Sequence, residues 1–159
     1  MYNETGGLVN STVMRKKGME ADWAEKLMQV SGRETEEQER QFLALVDQAE
    51  GSIDLRIAKV LLSTYSAKPD YGTQERVDSV LATGNEEIVV KAILEEMPRL
   101  IAEAPEWAAS LLGQELEHRF ELLHSSLTSM PREVQNAVSQ IVRNQEFSSF
   151  YPNAALLNP

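Results

Sequence analysis

Chains of this length, 159 residues and 17.8 kDa, build one domain around one core, so a multidomain enzyme is not expected. The hydrophobic share of 42% suits a soluble globular fold, and with no cysteine there are no disulfides, thiolate zinc sites or cysteine nucleophiles; no apolar run reaches the roughly 18 residues of a membrane span. The net charge of −10 is concentrated between Glu34 and Glu121, where 19 acidic and 8 basic side chains leave −11, a field that repels phosphate backbones and anionic lipid and draws in basic proteins.

Residues 1–18 read as a flexible arm whose apolar residues, Leu8, Val9, Val13 and Met14, do not form the continuous stretch of a secretory signal, which predicts a cytoplasmic chain. Everything after it has helical spacing, so the fold class is all-α, with about six to seven helices in a single domain over 19–146. Trp23, Ala24, Leu27 and Met28 stripe a first helix over 20–30, with Gly32 as its stop. Thr35 and Gln38 form a capping box for a second, which buries Phe42, Leu45, Val46 and Ala49 and ends near Glu50. Ser52 is the expected cap of a third, apolar around most of its circumference from Ile53 to Tyr65 and so the most buried. After a turn at Lys68 to Gly72, Thr73 caps a short helix with Val77, Val80 and Leu81 inward, and Asn85 caps the next.

That next helix runs from Glu86 to Glu103, and Pro98 within it predicts a kink. Pro105 opens a helix expected to continue unbroken to about His124, in which Gly113 either weakens the helix or permits close packing. A last helix over 131–145 turns Val134, Ala137, Val138, Ile141 and Val142 to one face, and Phe147, Phe150, Tyr151, Leu156 and Leu157 mark residues 147–159 as an apolar tail able to dock back on the core. Residues 52–83 and 85–118 are each a helix, a break and a helix, starting 33 residues apart. That period fits a helical-hairpin solenoid of the HEAT type; poor identity between the units leaves an irregular bundle equally open.

The most enzyme-like pattern is a pair of Glu-x-x-His units, Glu115/His118 and Glu121/His124. Carboxylate and imidazole at that spacing can share a metal, as in di-iron bundles, but there the units face each other from different helices. On one continuous helix the two histidines diverge by about 240° at 3.6 residues per turn, so no metal site is expected. There is no phosphate-binding glycine loop and no nucleophile elbow, and both histidines crowd one segment, so the chain reads as a non-enzyme without cofactor. The carboxylates divide instead by partner. Glu87, Lys91, Glu95, Arg99 and Glu103 form an i, i+4 ladder, with Glu36/Arg40 and Glu115/Arg119 as further local pairs. Asp47, Glu50, Asp54, Glu75 and Asp78 have no basic residue four positions away, and with Tyr71 as an aromatic anchor they form the candidate partner-binding set.

The run from Val77 through Thr83-Gly84-Asn85 and Met97-Pro98-Arg99, continuing into Ala104-Pro105-Glu106-Trp107, resembles the small bacterial immunity proteins of polymorphic toxin and contact-dependent inhibition systems. Within them it is most similar to the helical group catalogued as immunity protein family thirty, over residues 50–120 or so. The resemblance implies a protein without activity of its own that binds a cognate toxin domain and protects the producing cell. It carries over no toxin-binding residues. By charge alone, a cationic nuclease is the kind of toxin an acidic cover would suit. The alternative reading is an α-solenoid adaptor for some other protein.

Overall fold

The computed structural model describes residues 19–70 and 72–157; the expected N-terminal arm and Tyr71 lie outside the described residues. Those residues form no strand. A π-helical turn, Met19–Trp23, leads into ten α-helices, more than the six or seven expected: α1 Ala24–Val30, α2 Glu36–Gln48, α3 Leu55–Leu62, α4 Thr73–Leu81, α5 Glu86–Glu103, α6 Pro105–His118, α7 Phe120–Thr128, α8 Arg132–Val142, α9 Gln145–Phe150 and α10 Ala154–Leu157. None is long and apolar enough to cross a membrane.

The extra helices come from two places. The segment expected as one helix from Pro105 to His124 breaks at Arg119, whose backbone (φ −142°, ψ 43°) is not helical. The Arg119 amide still donates to the Glu115 carbonyl (2.8 Å) and its carbonyl still accepts from Leu123 (2.9 Å), so α6 and α7 abut through one residue, which closes the last turn of one helix and opens the first turn of the next. The tail supplies the others. Asn144 caps α9 by accepting from the Phe147 amide (3.0 Å), and Phe147, Ala154 and Leu157 are buried.

The caps decide where the other helices start. Thr35 accepts from the Gln38 amide (3.1 Å) while the Gln38 side chain returns to the Glu34 amide (2.9 Å), a capping box at α2 whose return bond lands one residue before the cap that the spacing predicts. Asn85 caps α5 by accepting from Glu87 (2.9 Å) and Ile88 (3.3 Å). At α3 the cap is Asp54, accepting from the Ile57 amide (2.7 Å), rather than Ser52.

The long α5 buries the most side chains, Val89, Val90, Ala92, Ile93, Leu94, Met97 and Leu100, at roughly 1.5–3 kcal/mol for each large one removed from water, while α3, with Ile57, Ala58, Leu61 and Leu62 inside, is the more buried of the two in proportion to its length. Four helices pack against α5, α6 of its own hairpin, α3 of the hairpin before and α7 and α8 of the pair after, contacts that a solenoid and an irregular bundle would both make. The helix runs on through Pro98 with Met97 and Leu100 fully buried on either side. Its polar edge ties it to α3. Lys59 meets Glu95 at 3.3 Å, and Arg99 donates to the carbonyl of Leu62 (2.5 Å), the last residue of α3, while pairing with Glu103 (2.6 Å) and Glu96 (3.2 Å).

Gly113 permits close packing. A Cβ there would sit 2.2 Å from Cζ of Tyr151, so the bare α6 backbone is the seat of the tyrosine ring that carries the tail.

Candidate functional site

The face built on α2 and α4 begins with an ion pair buried beneath it. Arg33, in a left-handed backbone conformation (φ 47°), lays its guanidinium over the Phe42 ring (4.6 Å) and 3.6 Å from Asp70, with side chains 8% and 9% exposed. Asp70 also accepts from the amides of Thr73 and Gln74 (both 2.9 Å) and from the Thr73 hydroxyl. Burial pulls the Asp70 carboxyl upward, but the Thr73 hydroxyl, the two amides and Arg33 outweigh it and hold it below the usual aspartate value. This knot joins the α1–α2 loop to the start of α4 and fixes how α4 lies against α2. Sequence reasoning missed it, because Arg33 and Asp70 are far apart in the chain; the only signal was the Asp-x-x-Thr spacing before α4.

Above it lie the carboxylates that the sequence singles out, and they do not share one environment. Asp47 and Glu50 converge on a single cation, Arg76 of α4, at 2.7 and 3.4 Å. The hydrogen bond that Arg76 donates to Asp47 and the charges of both carboxylates hold that guanidinium above its ordinary value. Reading these two as unpaired is therefore corrected: their partner is 29 and 26 residues away rather than four. Asp54 is turned to its own helix as the α3 cap and is not free acceptor surface. Glu75, in the first turn of α4, is exposed and in no ion pair among the described residues.

Asp78 is half-buried where α4 meets α6. Burial raises its carboxyl above the usual value, with Glu115 and Glu75 adding to the rise, while a hydrogen bond with Gln114 and the charge of Arg119 oppose it. Beneath it the Tyr65 hydroxyl is buried without a hydrogen-bond partner among the described residues, its ring 4.8 Å from that of Trp107. Burial and the charges of Asp78 and Glu75 hold that phenol well above 10.0, so it supplies no phenolate at neutral pH. Tyr71, the sequence's aromatic anchor, lies outside the described residues.

The acidic surface extends along α2 beyond the predicted set. Glu34, Glu36 and Glu37 are exposed, and Arg40, assigned to Glu36 by spacing, pairs instead with Glu37 (3.2 Å). Glu36, Glu39 and Asp47 fall within about 80° of one another around the helix at 100° per residue, so they form one stripe. From Glu34 to Glu50 six carboxylates face two guanidinium groups, Arg40 from within and Arg76 from across. The signal was present in the sequence, in Glu34-Thr-Glu-Glu-Gln-Glu, but it reads equally as a helix start.

The Glu-x-x-His units do not converge. The break at Arg119 puts them on two helices after all, yet Glu115 is buried in a two-pronged contact with Arg119 (2.7 and 2.9 Å), His118 is exposed 3.9 Å from Glu117, and His124 stacks on Phe120 at 5.9 Å. No group of three histidine, aspartate or glutamate side chains among the described residues is placed to hold a metal ion.

The chain matches no protein-family model, no curated protein and no solved structure.

Proposed function

We propose that this protein is an immunity protein: it binds a cognate bacterial toxin domain in the cytoplasm of the producing cell and neutralises it by covering a cationic surface, without turnover of its own. The observation that carries the reading is the α2–α4 face, where carboxylates outnumber cations about three to one and the underlying helices are locked by the Arg33–Asp70 pair. Such a face attracts a basic protein from a distance and offers it acceptors for arginine and lysine on contact. The resemblance of residues 50–120 to immunity proteins points the same way.

Structure adjusts which residues would act. Asp47, Glu50 and Glu75, with Glu36 and Glu39 beside them, present exposed or part-exposed oxygens; Asp54 and Asp78 are held by the fold and would contribute field rather than contact. An incoming arginine would compete with Arg76 for Asp47 and Glu50. Because that pair is exposed, giving it up costs little.

The test is co-expression with the toxin encoded beside it. Rescue of growth and a one-to-one complex support the reading; neither rescue nor complex would overturn it. In the complex, Glu36→Lys with Asp47→Lys should slow association on the order of tenfold at low salt, with the difference shrinking as salt rises. Unchanged association at low salt would place the interface elsewhere.

A further inference from the structure

Where α6, α8 and α9 meet the end of α5 there is an open groove of about 600 Å³. Its apolar lining includes Ile101, Ile141, Phe147 and Phe150. Phe150 is 76% exposed, and the position is not that of a loose tail. Asn144 caps the helix that carries it, Phe147 is buried one turn before it, and Tyr151 beside it is seated on the bare backbone of Gly113. A phenylalanine side chain held mostly in water by three anchoring contacts keeps most of its hydrophobic free energy for something else.

The groove also carries charge of one sign. Its two acidic lining residues, Glu106 in the first turn of α6 and Glu146 in the first turn of α9, are both exposed, no basic residue lines it, and neither carboxylate is in an ion pair among the described residues. An occupant that covers Phe150 is therefore best matched if it brings cations to both sides of its apolar anchor.

We propose that this groove docks a basic amphipathic segment of a partner protein, in which a leucine or aromatic anchor packs on Phe150 and Phe147 while flanking lysine or arginine side chains meet Glu106 and Glu146. The inference goes beyond the immunity reading, which rests on the α2–α4 face, and its test contains no toxin, so either can fail without the other. A volume of this size accepts a few side chains rather than a whole domain surface, which is the scale of a helix-in-groove contact.

The probe is a fluorescein-labelled amphipathic helical peptide of leucine, phenylalanine and lysine, with a control in which glutamate replaces lysine, each titrated into the full chain. The lysine peptide should bind saturably and shift amide resonances of residues 106–110 and 140–151, and the glutamate peptide should not. Phe150→Ser should weaken binding about tenfold or more, the loss found for an aromatic hot spot, and Glu106→Lys with Glu146→Lys should abolish the preference for lysine. All three side chains are exposed, so circular dichroism should show the variants folded. Equal binding of the two peptides, or undiminished binding to Phe150→Ser, would overturn the proposal. So would sedimentation of the wild type as a dimer that Phe150→Ser converts to monomer, since the occupant would then be a second copy.

Discussion

The α2–α4 face and the corner formed by α6 and α9 are both on the surface of one small fold, yet different forces hold them. The first is tied by charge: Arg33 to Asp70, Arg76 to Asp47 and Glu50, Asp54 to the start of α3. The second is tied by shape: the Tyr151 ring against Gly113, with Phe147, Ala154 and Leu157 buried below. A charge-tied face responds to pH, and its exposed pairs also to salt; a shape-tied corner responds to single carbon atoms and to neither. The comparison also separates tasks, since carboxylates in water govern encounter and orientation while an exposed aromatic governs how long a partner stays.

The largest effect should come from breaking the charge-tied face at its root. Asp70→Ala leaves the Arg33 guanidinium buried without its counter-ion and strips the acceptor from the Thr73 and Gln74 amides, a loss of roughly 3–5 kcal/mol for a buried pair cut on one side. Urea denaturation would measure it. A loss below about 1 kcal/mol would mean that the pair behaves as an exposed one.

Asp70 also gives the face its acid sensitivity. Its carboxyl titrates lower in the folded chain than in the unfolded, where an aspartate sits near about 3.9. The stabilisation this represents is complete above the unfolded value and is lost as pH falls through the folded one. Stability of the wild type should therefore decline on acidification below about pH 4 more steeply than that of Asp70→Asn. Parallel pH profiles of the two thermal midpoints would show that other carboxylates govern the acid limb.

The shape-tied corner should break more gently. Gly113→Ala puts a methyl group where the Tyr151 ring lies, which costs roughly 1–3 kcal/mol by overpacking and regains up to about 1 kcal/mol of helix propensity. The loss should not change with salt, and limited proteolysis should show residues 144–157 opening first. A stabilised variant would mean that the ring moves aside at no cost.

How much of this the sequence reveals follows the same division. The capping box at Thr35, the Asn85 cap and the buried faces of α2, α4 and α8 are local patterns, set by residues three or four apart, and all are legible. The break at Arg119 is not, because no proline or glycine marks it and the apolar spacing runs through. The candidate site divides likewise. That the middle of the chain is acidic follows from counting; that Arg76 serves Asp47 and Glu50 depends on how α4 lies on α2, and an i, i+4 rule cannot see across helices. The same rule misassigned Arg40, which had two glutamates within reach and paired with Glu37, three residues before it. Asp54 looked like free charge for a related reason: Ser52 was a good enough cap to hide the better one.

The smallest effect concerns Asp78, the one carboxylate of the acidic face whose charge the fold opposes. Burial raises its carboxyl, with Glu115 and Glu75 pushing the same way. Its sign is opposite to that of Asp70: a carboxyl raised in the folded state favours folding in its protonated form, so ionisation at neutral pH subtracts from stability. Asp78→Asn removes that charge and keeps a polar group for Gln114, so its thermal midpoint at about pH 7 should lie above that of the wild type. Near about pH 3, below the unfolded aspartate value, the wild-type side chain is itself neutral and the two midpoints should coincide. A lower midpoint at neutral pH would show that attraction to Arg119 outweighs the cost of burial. In that case Asp78 would belong with Asp70, as a charge that holds the face together.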